Sequence, residues 1–200
     1  MQIDPQDSHF NTPTRHPSTY QFQHYNAGVR QVTNTRTAID IGAHIGIFTQ
    51  RYAQDFQRVI AIEPVNINYL RANTEKYNNV EIYHRAVSNT TGDTVYLHNP
   101  SHNNSNSGAW EITDTPTDIS IKTITIDELN IQDADIIKID TQGVEREVIQ
   151  GARDTITKCR PVIHIETRDD ALIRHICGEY NYILASTVVK DRILKPKKKR

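Results

Sequence analysis

Two stretches of the chain place acids and glycines where they can do chemistry. The first is Ile39-Asp40-Ile41-Gly42-Ala43-His44-Ile45-Gly46. Gly42 lets the backbone turn and lets a ligand approach the peptide plane. Gly46 lets a helix pack closely on the preceding strand. Glu63 follows Asp40 by 23 residues, just after a second apolar run. An acid at that distance is suited to receive the two ribose hydroxyls of a nucleoside. A dinucleotide needs a further central glycine, so that its pyrophosphate can sit on the helix N-terminus. His44 stands in that position, and Asp40 beside the turn repels a phosphate. The same acid attracts the ammonium group of an amino acid. S-adenosylmethionine has that ammonium and no phosphate, so it is the expected cofactor, and a nicotinamide cofactor is disfavoured. His44 is a candidate contact for its carboxylate. Ala86, Val87 and Ser88 follow the third apolar run, where small residues suffice to cover an adenine ring.

The second stretch lies around Asp140. Methyl transfer is an in-line displacement that needs the acceptor oxygen about 3–3.5 Å from the methyl carbon. A poorly nucleophilic hydroxyl also gains from a general base. Asp140 ends an apolar run, Ile136–Asp140, and is the first candidate for that base or for a contact to the methionine end of the cofactor. Its competing role is a cap for the following segment. His164 and Glu166 alternate on the next run and share a face, so they could form a base and its orienter. Glu166, at the end of the run, is the better placed of the two. Asp140, Glu145 and Glu166 are oxygen ligands in type, but their spacing does not demand a cation, and no metal is expected. Lys138 shares a face with Asp140 and is expected to pair with a carboxylate in the sheet. Trp110 lies in an Asn-rich segment and could stack on a sugar ring or anchor that segment.

These residues need a scaffold that gathers strand ends. Short β-branched runs occur at 37–41, 58–62, 80–84, 94–98, 119–126, 136–140 and 161–166. They read as buried parallel strands. Helical patterns lie between them, at 46–55, 66–77, 144–158 and 169–178. The alternation predicts an α/β fold, a doubly wound sheet with helices on both faces. Residues 1–36 are polar and read as an irregular arm with a short helix near Tyr20–Ala27. The domain proper is expected over 37–194, and 195–200 read as a solvated basic tail. The long polar segment 99–118 is a candidate functional loop.

The chain has 200 residues, a net charge of −1 and 24% charged residues. This excludes a globally basic nucleic-acid binder and an acidic solvating chain. Two cysteines, Cys159 and Cys177, are too few for a disulfide framework, and a reducing, cytoplasmic compartment is expected. No run of apolar residues is long enough for a membrane span.

Five blocks also carry a family resemblance: IDIGAHIG, AIEP (Ala61–Pro64), HRAVSN (His84–Asn89), IIKIDTQGVEREVIQGA (Ile136–Ala152) and RPVIHIE (Arg160–Glu166). In this order they resemble FkbM-type methyltransferases over residues 37–167. The resemblance implies a Rossmann-like, mostly parallel seven-stranded sheet, S-adenosylmethionine as donor, and O-methylation of a sugar, glycan or small natural product. One departure is Gln142, where the family usually has an acid before the glycine of the long block. Two other functions are weighed. A nucleic-acid methyltransferase is not expected, because Thr141-Gln142-Gly143 follows Asp140 in place of the Pro-Pro-aromatic signature of exocyclic amine methylation. A non-catalytic S-adenosylmethionine-binding module draws weak support from Gln142.

Overall fold

The computed structural model describes residues 1–5, 7, 10, 19–101 and 106–198. Its centre is the parallel pair β1 (Thr37–Ile41) and β8 (Ala134–Ile139), every residue of which is buried. Strands covered on both faces select β-branched residues, and each fully buried Ile contributes about 1.5–3 kcal/mol. Beyond β1 lie β2 (Arg58–Ile62) and β3 (Val80–Tyr83), both parallel. Beyond β8 lies β9 (Val162–Glu166), also parallel. The sheet is completed by β10 (Tyr182–Val188) and β11 (Asp191–Pro196), with β11 inserted antiparallel between β10 and β9. The order is β10-β11-β9-β8-β1-β2-β3, seven strands with one reversed. The connection from β1 to β2 goes one way across the sheet and β8 lies on the other side of β1. The crevice at that switch point is where such sheets bind ligands.

The turn after β1 starts helix α2 (Ile47–Asp55) at Gly46, whose φ of 88° is left-handed. Phe48 and Tyr52 of α2 pack into the sheet, and α3 (Ile67–Thr74) lies alongside, with Leu70 fully buried. On the other side, the expected helix 144–158 is two helices, α4 (Glu145–Gly151) and α5 (Arg153–Cys159), broken at Ala152. Helix α6 (Asp170–Glu179) starts where Asp169 accepts the N–H groups of Ala171 and Leu172 at 2.8 and 2.9 Å.

Three expectations are corrected. The runs 94–98 and 119–126 are not strands of the parallel sheet. They are β5 (Thr94–His98) and β7 (Ser120–Ile124), antiparallel partners in a separate sheet with β4 (Ala86–Val87) and β6 (Glu111–Thr113). This small sheet is only partly covered, so β5 and β7 keep exposed positions that a strand buried on both faces could not hold. The boundary at 195 is also displaced, because β11 runs to Pro196 and the Lys195 ammonium donates to Gln31 at 3.0 Å. Lys199 and Arg200 of the tail lie outside the described residues, as do Asn103, Asn104, Pro13 and Pro17. Third, the arm is built into the core. Helix α1 (Phe22–Val29) buries Tyr25 against Phe48 and Tyr52, with ring centroids 5.7 and 5.2 Å apart.

Candidate active site

A cavity of about 420 Å³ opens at the carboxyl ends of β1, β2, β8 and β9. That volume suits a nucleoside-sized ligand. Its lining includes Asp40, Gly42, His44, Glu63, Ala86 and Val87, together with Lys138, Asp140, Gln142 and Glu166. Phe10, Tyr20 and Gln21 of the arm also border it, as do Trp110 and the loop before it.

The turn 42–46 is fixed from below. Gly42 has φ 74°, and a Cβ there would sit 2.0 Å from the carbonyl oxygen of Asp140. No other residue fits, because the turn crosses β8 at backbone distance. Glu63 holds the same turn. Its Oε2 accepts the N–H of His44, and its Oε1 accepts those of Val65 and Asn66, all at 2.8 Å. A carboxylate has about four acceptor positions. Three are committed, so Glu63 has room for about one further hydrogen bond, not the shared pair expected for two ribose hydroxyls.

His44 has φ 52° and a buried ring that stacks on Phe10 at 5.9 Å. Its Nε2 lies 2.6 Å from Ser107 Oγ, and that hydroxyl donates to Asp7. Ser107 therefore accepts the Nε2 proton, which assigns the tautomer. Burial holds the imidazole below its usual pKa, against the pull of Glu63 and Asp7, so the ring is neutral at pH 7. The Ser107 carbonyl accepts from Asn66 Nδ2 at 2.8 Å, which ties the loop to the head of α3. Sequence reasoning missed Ser107, Asn66 and Asp7, because residues about 40 to 100 positions apart give no local signal.

Beside the turn, Asp140 receives the ammonium of Lys138 at 2.9 Å. The same ammonium lies 3.9 Å from Asp40 and 4.6 Å from the centre of the Phe48 ring. Lys138 is 5% exposed at its side chain. Burial works to lower its pKa, but the charges of Asp140 and Asp40 outweigh it and push it up, so the group is a permanent cation. Asp40 is fully buried and accepts Thr49 Oγ1 at 2.6 Å, leaving Oδ1 without a hydrogen-bond partner. Burial raises its pKa, against the opposing charge of Lys138. The pairing expected for Lys138 is present, with two carboxylates instead of one.

Glu166 reaches the cavity and lies 3.6 Å from the Lys190 ammonium. Burial, then the charges of Asp140 and Asp191, raises its pKa. His164 does not join it. The ring is fully buried under Gly28 of α1 and against Phe48, and its Nε2 pairs with Asp191 at 2.8 Å. The two side chains share a face of β9, but His164 sits two residues deeper, where α1 covers the strand. The base–orienter pair expected from their alternation does not form. Asp191 also pairs with His24 of α1. Glu145 accepts the Gly143 N–H at 2.9 Å in the turn before α4, and does not line the cavity. Among the described residues, no three His, Cys, Asp or Glu side chains are placed to hold a metal ion.

The sheet order, with one reversed strand beside the edge strand, and the crevice at its switch point define a class I methyltransferase fold. The model of the methyltransferase FkbM domain matches residues 40–184, well over half of the chain, and the chain belongs to that family. A crystal structure of methyltransferase FkbM from Methylobacillus flagellatus superposes with a TM-score of 0.53 at 21% identity. The match covers 80% of this chain and 43% of the other, so this chain spans less than half the length of that protein. A precorrin-6y C5,15-methyltransferase from Geobacter metallireducens gives 0.52 at 15% identity, covering 96% of each chain. A Streptococcus mutans protein solved in complex with SAH gives 0.50 at 11% identity, over 86% of this chain and 93% of that one. No curated protein matches the chain.

Proposed function

We propose that the chain is an S-adenosylmethionine-dependent methyltransferase that methylates a hydroxyl of a sugar, glycan or small natural product. One observation carries the reading. A single cavity of about 420 Å³ is lined by the glycine turn, Glu63, Asp140 and Glu166 together. The residues fit a nucleoside with an amino-acid end. Gly42 adds no side chain to the lining, Glu63 Oε2 retains acceptor capacity, and Ala86 and Val87 offer small apolar surface. Asp40, Gly42, His44, Glu63, Ala86 and Val87 would hold the cofactor, and Gly46, which faces Leu70 of α3, would support the turn. When bound, S-adenosylmethionine supplies a methyl group already activated on a sulfonium.

The chain's own residues then have three tasks. The turn and Glu63 fix the nucleoside end, which leaves the acceptor to be aligned by the rest of the lining. Glu166 and Asp140 are the candidate bases there, and the raised pKa of Glu166 brings it nearer to the proton affinity a base needs. Trp110, Tyr20 and Gln142 border the cavity and offer aromatic and amide contacts suited to a sugar ring. His164 has no part, because its ring is enclosed.

Calorimetry with S-adenosylmethionine, S-adenosylhomocysteine and NAD tests the cofactor. Tighter binding of NAD than of S-adenosylhomocysteine sinks the assignment. Untargeted mass spectrometry of glycans and metabolites, with and without the protein, tests the acceptor. One species should gain the mass of a methylene.

A further inference from the structure

We propose that Lys138 is a specificity residue that sets the charge presented to the donor's cationic centre. It thereby sets the preference for S-adenosylmethionine over its neutral thioether product. The inference rests on the methyltransferase reading and concerns how the same cavity tells donor from product.

The argument begins with an arrangement that packing alone does not explain. Lys138 lies on a central strand, in register with Asp40 of β1. Its ammonium is enclosed between Asp140, Asp40 and the Phe48 ring. A buried ion pair adds little stability over apolar residues of the same volume, because desolvation offsets the attraction. Its neighbours in register are Asp40 of β1 and His164 of β9, both buried, so an apolar pair at positions 40 and 138 would fill the sheet without any charge to compensate. What Lys138 does alter is charge. All three members of the Asp40–Lys138–Asp140 triad border the cavity, and in a partly enclosed site charges are weakly screened.

The other charged groups around the cavity are already engaged. Arg85 donates to the His84 carbonyl at 2.8 Å. Glu63 holds three backbone N–H groups. Glu166 faces Lys190 at 3.6 Å. Asp191 is held by His164 and His24. His44 is neutral. The charge that varies with a single residue is therefore that of the triad. Methyl transfer converts a sulfonium into an uncharged thioether. A wall that carries excess negative charge holds the first and releases the second. A wall made neutral loses that difference. Lys138 offsets one carboxylate and leaves the other, which tempers the donor preference without abolishing it.

The test measures affinities and needs no acceptor. Calorimetry gives dissociation constants for S-adenosylmethionine and S-adenosylhomocysteine, and their ratio is the readout. Lys138→Met is made in an Asp40→Asn chain, so that no buried carboxylate remains to take up a proton in place of the lost ammonium. The preference for S-adenosylmethionine should rise at least threefold over Asp40→Asn alone, and Lys138→Arg in the same chain should restore it. Asp140→Asn, at a partly exposed position, should lower the preference at least threefold from the wild type and decides the matter if the buried variants do not fold. An unchanged ratio in Asp140→Asn, or in a folded Lys138→Met chain, overturns the proposal. Failure of the wild-type protein to bind either compound instead overturns the methyltransferase reading.

Discussion

Glu63 holds the turn, and the proposed function gives it the ribose as well; single substitutions separate the two. Removing its carboxylate strands three N–H groups at the turn, each costing about 1–3 kcal/mol when buried without a partner. Glu63→Ala is therefore expected to lower thermal stability as well as cofactor affinity. Glu63→Gln keeps an oxygen for Val65 and Asn66 and loses the acceptor at His44. It should stay folded and bind S-adenosylhomocysteine about 1–2 kcal/mol more weakly. Circular dichroism melts and calorimetry on both variants read the two effects. Full affinity in Glu63→Gln would remove it from the ribose site. At Glu166 the pH dependence has a definite sign. A base acts when ionised, and burial raises the pKa of this carboxyl. With an acceptor in hand, kcat should rise with pH through a midpoint above the usual carboxylate value of about 4.3. Glu166→Gln should flatten that limb, and an unaltered profile would leave Asp140 as the base.

The elements that carry the site meet at backbone distance, and two glycines mark where. Gly42 crosses β8, and Gly42→Ala forces a Cβ to within 2.0 Å of the Asp140 carbonyl at a left-handed φ. Nothing there is a flexible side-chain tip, so a loss of about 3 kcal/mol or more is expected in a denaturant melt. Gly151 closes α4, and a Cβ there would lie 2.1 Å from the Ser88 carbonyl. Gly151→Ala should push α4 off the β4 end and destabilise by a similar amount. By contrast, a Cβ at Gly143 meets nothing within 4 Å, and the cost of Gly143→Ala is limited to its φ of 80°. Helix α1 is clasped to β9 and β11 by His24, Asp191 and His164. Burial works to raise the Asp191 pKa, but the hydrogen bonds and charge of His164, then of His24, outweigh it and hold it below the usual value. A depressed carboxyl stabilises fully above its unfolded pKa of about 3.9, and that contribution fades as pH falls through the lower folded value. Asp191→Asn should therefore lower the melting temperature at neutral pH and make its decline below about pH 4 shallower. A parallel decline in both proteins would show that the clasp adds no acid sensitivity.

At the scale of the molecule, the basic segment from Lys195 to Lys197 is part of the sheet and its edge. Lys195 pairs with Ile183 across the β10–β11 hairpin, and Lys197 N–H bonds to the Asn181 carbonyl at 3.0 Å. Removing 198–200 should leave the melting temperature unchanged. Removing 195–200 should lower it measurably, because an edge pair and its contact with α1 go together. Among the described residues no helix is long and apolar enough to cross a membrane. The strand character of the central runs, the glycine turn and the placing of Asp140 and Glu166 at strand ends were legible in the sequence. Each depends on local patterns, namely β-branched runs, glycines and acids at strand ends.

What the sequence could not yield was set by distance along the chain. The runs 94–98 and 119–126 look like buried strands one by one, and only their mutual antiparallel pairing puts them in a separate, partly exposed sheet. Period-2 alternation put His164 and Glu166 on one face correctly, yet it carries no information about which part of that face another element covers. Helix α1, some 140 residues away, encloses the first and leaves the second at the cavity. The same holds for His44, whose tautomer depends on Ser107 and Asp7, and for Lys138, whose second carboxylate comes from β1. Sequence alone determined the type of each element and the chemistry available at its end. Tertiary structure decided which of those groups meet, because burial and hydrogen-bond partners are properties of neighbours in space, and the chain order does not record them.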